Sequence, residues 1–93
     1  GINELQQSIA LDMVISPNPI NDVATLAFHL SKTSNASIII YNQHGQVVAT
    51  LLDEKTQTGN HELKYDTSAL PAGLYFCVLK SNNSRLTKKF IKM

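Results

Sequence analysis

The sequence predicts an all-β fold, a seven-stranded antiparallel sandwich of immunoglobulin-like type, and three observations carry that prediction. Turn residues punctuate the chain about every eight to twelve positions, and no segment has the length and period of a long helix. Residues 23–30 and 60–66 alternate apolar with polar, the pattern of strands buried on one face. Residues 74–79 are apolar on both faces, with Tyr75, Cys77 and Leu79 on one side and Leu74, Phe76 and Val78 on the other. A strand of that kind is central, with a neighbour on each side.

Residues 1–10 are polar with scattered aliphatics and read as a linker or lead-in, so the domain proper is 11–93. Residues 11–16 make a first strand, which Pro17-Asn18-Pro19 stops because two prolines remove two ladder donors. Asn21-Asp22 suits a turn, since both side chains can bond the nearby backbone. In 23–30, Leu26, Phe28 and Leu30 share one face; Thr25, Ala27 and His29 share the other. Residues 31–35 read as a polar loop. Residues 37–41 are β-branched and aromatic, and 46–52 return beside them as a hairpin. The turn between is Asn42-Gln43-His44-Gly45, with Gly45 where a left-handed residue is wanted.

Residues 53–59 read as a charged loop, and in 60–66 His61, Leu63 and Tyr65 share a side. Thr67-Ser68-Ala69 is expected as a bridge, as a helical turn. It leads to Leu70-Pro71-Ala72-Gly73, where Pro71 fixes its own φ and Gly73 can take a positive one. Residues 81–84 form a turn, and 86–92 the last strand. Leu26, Phe28, Ile38, Ile40, Val48, Tyr75, Cys77 and Leu79 are the expected core. There is no Trp and no Cys pair, so the hallmarks of antibody domains are absent.

Ninety-three residues make one small domain, which buries about 60–65% of its unfolded surface and leaves no room for a large interior cavity. The net charge of +1 hides an asymmetry. Residues 1–79 hold three Lys against seven Asp or Glu, a net of −4, and 80–93 hold Lys80, Arg85, Lys88, Lys89 and Lys92 with no acid, a net of +5. A basic terminus on an acidic body is either an interaction element or an edge strand guarded by lysine. Lone Cys77 excludes an internal disulfide. No run reaches the roughly 18 apolar residues of a membrane span, and no secretory signal begins the chain. Gly1 in place of Met favours a piece cut from a longer protein.

Nothing in the sequence points to catalysis. Cys77 lies among apolar neighbours, where cysteine packs as a small hydrophobe. His29, His44 and His61 have no short metal-ligand spacing. Asp53-Glu54 is a solvated pair without apolar surroundings to raise a pKa. There is no phosphate-binding glycine loop, and the aromatics are too dispersed for a nucleic-acid or sugar platform. Tyr41 and Tyr65 could line a small sugar-binding face, but cross-strand packing is the better reading. No cofactor, nucleic acid or small-molecule substrate is expected.

Four pieces in order give the chain a resemblance. They are Pro17-Asn18-Pro19; Ile38-Ile39-Ile40-Tyr41-Asn42 with Gly45-Gln46-Val47-Val48; Gly59-Asn60-His61 leading through Tyr65-Asp66 to Leu70-Pro71-Ala72-Gly73-Leu74-Tyr75; and Thr87-Lys88-Lys89-Phe90-Ile91-Lys92. Together they resemble the C-terminal sorting domain (Por secretion tail type) of the type IX secretion system of Bacteroidota, over about residues 11–93. Tyr65 stands where that family often has Trp.

The resemblance implies a seven-stranded sandwich at the end of an exported cargo. It implies no catalytic, cofactor or metal residues, and a recognition motif of Pro17, Asn18, Pro19, Gly45, Leu70, Pro71, Gly73, Tyr75, Lys88, Lys89 and Lys92. The partners it implies are an N-terminal cargo, the outer-membrane type IX translocon with its shuttle proteins, and a sortase-like cysteine peptidase. That peptidase would cut in or before residues 2–10. The localisation implied is periplasm in transit, then cell surface or medium. The alternative is an immunoglobulin- or fibronectin-like accessory module that binds carbohydrate or protein on a secreted enzyme.

Overall fold

A computed structural model of the protein describes residues 11–93, so the linker expected over 1–10 lies outside the described residues. Seven strands follow in order: β1 (Leu11–Ser16), β2 (Val23–Leu30), β3 (Ser34–Asn42), β4 (Val47–Thr56), β5 (Gly59–Asp66), β6 (Gly73–Ser81) and β7 (Ser84–Lys92). They form a three-stranded sheet, β1-β2-β5, and a four-stranded sheet, β4-β3-β6-β7, each paired antiparallel throughout. β6 lies between β3 and β7, as its two apolar faces require. One apolar cluster fills the space between the sheets, with Met13, Leu26, Phe28 and Leu30 from one and Ile38, Ile40, Cys77, Leu79 and Phe90 from the other.

Several boundaries differ from the sequence reading. β3 begins at Ser34, inside the expected loop, because the hydroxyls of Ser34 and Ser81 are buried against each other and satisfy themselves. β4 runs through Asp53-Glu54-Lys55 to Thr56, where a charged loop was expected. It is an edge strand, and an edge tolerates charged side chains that a central strand would not. Thr67–Leu70 is a single hydrogen-bonded turn, Leu70 N donating to Thr67 O at 2.9 Å, and not a helical one.

Of the expected core, Leu26, Phe28, Ile38, Ile40, Tyr75, Cys77 and Leu79 are buried, and Val48 is not, at 36% exposed. Register explains the miss. Tyr41 pairs with Val47 and Ile40 with Ala49, so Val48 is skipped at a bulge; a second bulge between Ile38 and Ile39 skips Leu51. Two extra residues shift which side chains of β4 point inward, and period-two counting from sequence cannot see them.

Candidate functional site

Antiparallel pairing sorts the residues expected for recognition, Lys88 and Lys89 apart, to one pole of the sandwich. Ser16 pairs with Thr25, Val23 with Asp66, Tyr41 with Val47, Asn42 with Tyr75, and Gly73 with Lys92. The ends of β1, β3, β5 and β7 therefore meet the starts of β2, β4 and β6. Leu11, where the described chain begins, pairs with Leu30 at the opposite pole.

The Pro17-Asn18-Pro19 segment does more than end β1. Both X-Pro bonds here, Ser16–Pro17 and Asn18–Pro19, are cis. The segment runs beside the end of β7, with Ile20 in a parallel bridge to Lys92. Ile20 N donates to Ile91 O at 2.8 Å, and Met93 N donates to Ile20 O at 2.9 Å. The Asn18 side-chain oxygen accepts from Ile91 N at 3.0 Å. The last turn of the free edge of β7 is thus covered by the first turn of the domain.

The Leu70–Gly73 turn is fastened from three sides. Tyr75 Oη donates to Pro71 O at 2.6 Å, a bond from the start of a strand back to the backbone just upstream. That is the tyrosine corner of immunoglobulin-like sandwiches. The Tyr75 ring stacks on Phe90 at 5.4 Å and 18°. Lys92 Nζ donates to Thr67 O at 2.9 Å and Leu70 O at 3.0 Å. Thr67, fully buried, donates its N–H and its hydroxyl to Asp22 O, at 2.8 and 2.6 Å. Ser68 bonds to the Asp66 carboxylate hold that group below its ordinary pKa, with Lys92 adding to the effect. Burial pushes the Tyr65 phenol up, helped by the nearby Tyr75 and Asp66. Gly73 has φ +155°, and Gly45 has φ +83°. Gly45 sits in a turn that Asn42 holds, its side-chain oxygen accepting from His44 N at 2.9 Å and Gln46 N at 3.0 Å.

The basic end of the chain is not one patch. Lys92 is 6% exposed and belongs to the interior of the pole, not to the solvated strand that the charge pattern suggested. Lys88 and Lys89 are exposed but stand on opposite faces of β7, Lys88 opposite Cys77 and Lys89 opposite Phe76.

Elsewhere the geometry carries no reactive arrangement. Burial pushes the Cys77 thiol up to about 12, and its Sγ meets Met13 Sδ at 3.8 Å. His29 Nδ1 lies 2.8 Å from Asn60 Oδ1, and His61 Nε2 2.7 Å from Gln57 O, with the His61 ring stacked on Phe28 at 5.2 Å. No three His, Cys, Asp or Glu gather as metal ligands among the described residues. Tyr41 and Tyr65 stand on different sheets, so they line no common face. Sequence reasoning missed Thr67, Ile20 and Phe90 as parts of the pole.

The family profile described as "Secretion system C-terminal sorting domain" matches residues 14–93. Among solved structures, dimeric latent PorU from Porphyromonas gingivalis is similar over 89% of this chain, with TM-score 0.68 and 26% identity. PorZ, described as an essential surface component of the type IX secretion system of the same organism, is similar over 99% of the chain, with TM-score 0.64 and 15% identity. The chain spans only 9% of the PorU chain and 12% of the PorZ chain. The Ig1 domain of mouse SynCAM 2 is similar in fold, with TM-score 0.53, 17% identity and coverage of 87% of this chain and 92% of that one. No curated protein matches.

Proposed function

We infer the role of this chain from one premise: it belongs to the secretion system C-terminal sorting domain family. It is a non-catalytic signal domain of type IX secretion, carried by a protein that the system delivers to the cell surface. The finer reading is that the pole built from Pro17, Asn18, Pro19, Gly45, Leu70, Pro71, Gly73 and Tyr75, with Lys92 inside it, is what the outer-membrane translocon or its shuttle proteins recognise. Lys88 and Lys89 steer an acidic receptor to it. Cargo joined before Gly1 passes through the periplasm and is freed by a sortase-like cysteine peptidase that cuts in or before residues 2–10.

One observation carries this reading: the pole and Leu11 lie at opposite ends of the sandwich. A cargo attached through residues 1–10 leaves the pole unobstructed. A pole held together by hydrogen bonds between residues distant in sequence also lets a receptor distinguish a folded domain from an unfolded chain.

The test is a reporter with a signal peptide fused before Gly1 and expressed in a bacterium with the type IX machinery. The fusion should reach the cell surface, and the reporter with its signal peptide alone should stay in the periplasm. Surface delivery of the bare reporter, or retention of a folded fusion, overturns the reading.

A further inference from the structure

The outer face of the four-stranded sheet carries a surface that touches the pole only at the Asn42–Gly45 turn. Side chains directly opposite each other share a face, so three rows cross it. The first is Tyr41, Phe76 and Lys89; the second Ile39, Val78 and Thr87; the third Ser37, Lys80 and Arg85. Tyr41 and Phe76 are half-buried, and Val78 is 5% exposed although it stands outside the core cluster. They floor a shallow groove of about 390 Å³ that Arg85 and Thr87 also line. The sequence dispersed these two aromatics by 35 positions; the sheet sets them side by side.

The charges of this face are one-sided. β6 and β7 carry Lys and Arg and no acid. Lys80 and Arg85 are directly opposite, an arrangement of like charges that destabilises a sheet standing alone. On the β4 side the outward neighbours of these three rows are Val47, Thr50 and Asp53, neutral or acidic, and Lys55 stands one row further along, opposite Asn35. A single cationic rim beside an apolar floor fits an anion that also brings apolar groups. Arg85 and Lys89 lie four positions apart on one face, about 13 Å along the strand. Carboxylates four residues apart in an extended peptide have that same spacing.

We propose that this face docks an extended acidic segment of a partner protein, with apolar side chains on Tyr41, Phe76 and Val78 and carboxylates on Arg85 and Lys89. The proposal rests on the sorting role and deepens it: the direct contacts on the last strand belong to Arg85 and Lys89, and Lys88, on the other face, adds only to long-range steering. A bilayer is the poorer occupant, because the apolar floor is recessed and the cations beside it stand on the β7 rim. A membrane needs apolar side chains that project beyond their cations.

The probe is a short synthetic peptide with two Glu four residues apart and Phe between them. A second peptide has Gln for Glu, and vesicles of anionic phospholipid are the third probe. Amide shifts of the chain of residues 1–93 report where each binds. The acidic peptide should shift β3, β6 and β7 around Phe76, and the Gln peptide should not. Arg85→Gln with Lys89→Gln should weaken the peptide by at least about tenfold, as the loss of two charge-assisted contacts implies, and Lys88→Gln should leave it unchanged. The same double variant, with its melting temperature kept, should fail to export the reporter fusion.

Binding of vesicles without binding of the peptide overturns the proposal in favour of a membrane. Shifts confined to the β1-β2-β5 sheet, or no shift at millimolar peptide, overturn it too. Normal export of the double variant beside normal export of the parent overturns this docking surface and leaves the sorting role standing. Failure of the parent fusion itself counts against the sorting role, and the peptide then decides the docking surface alone.

Discussion

The ammonium of Lys92 donates to the carbonyl of Leu70, 22 residues earlier, at 3.0 Å. A second bond, to Thr67 O at 2.9 Å, makes the end of β7 a pin through the turn that leads into β6. These carbonyls belong to a turn, not a ladder, so a side chain supplies the donors. Removing a charged donor from such acceptors costs more than the bond itself contributes, because Leu70 O loses its donor and Thr67 O keeps only the bond from Leu70 N. Lys92→Met keeps the stem and deletes the ammonium. It should lower the unfolding free energy by about 1–3 kcal/mol. Denaturant titration checks this, and a midpoint equal to that of the parent would mean the carbonyls have found other donors.

Gly73 opens β6 opposite Lys92 with φ +155°, a conformation that side chains other than glycine rarely adopt. A Cβ there would meet nothing within 4 Å, so any penalty comes from the backbone and not from a clash. Gly73→Val should destabilise by about 1–3 kcal/mol. Gly73→Ala should do much the same, since the space is open and only the φ matters. Ala tolerated without loss while Val is not would show that bulk, not backbone strain, is what this position excludes.

What the sequence made legible follows from what each signal depends on. Alternation in 23–30 and 60–66 depends only on which face meets the core, and both strands form as expected. The apolar run 74–79 pointed to a central strand, and β6 lies between β3 and β7, with its outer apolar face at Phe76 and Val78 flooring the groove. Val48 was misplaced because a bulge is a relation between two strands and leaves no mark on one. Lys92 was read with Lys88 and Lys89 because spacing along the chain does not say which lysine finds buried carbonyls. The groove at Tyr41 and Phe76 was invisible for a similar reason, since their adjacency exists only after β3 and β6 are paired in register.

Cys77 offers a pH readout of the core. Its thiol ionises at about 12 when folded against an ordinary 9.0, and burial is the cause. Folding therefore favours the neutral form. The contribution is complete below pH 9.0 and shrinks as pH rises from there towards 12, because the unfolded chain then releases a proton that the folded one keeps. Parent and Cys77→Ala should differ by a constant amount below pH 9.0, with the parent losing its advantage above it. At neutral pH a thiol-disulfide reagent should leave Cys77 unmodified until denaturant is added. Rapid labelling of the native protein would refute the buried assignment.

Deleting residues 86–93 is the obvious way to test a sorting strand, and the structure says what that deletion measures. It takes away Phe90, 1% exposed, whose ring stacks on Tyr75, and Lys92, which pins Leu70. It also strips β6 of one neighbour and leaves Ile20 without its partners at Ile91 and Met93. Losing a buried Phe alone is typically worth about 3–5 kcal/mol, a large share of the stability of a small domain. The truncated chain should therefore show no cooperative thermal transition, and its failure to be exported would report unfolding. Exposed lysines behave otherwise. Lys88→Gln or Lys89→Gln should move stability by less than about 0.5 kcal/mol. Melting curves on the three proteins separate the cases. A cooperative transition in the truncated chain would show that β1–β6 fold without β7, and loss of export by that chain would then be evidence of recognition after all.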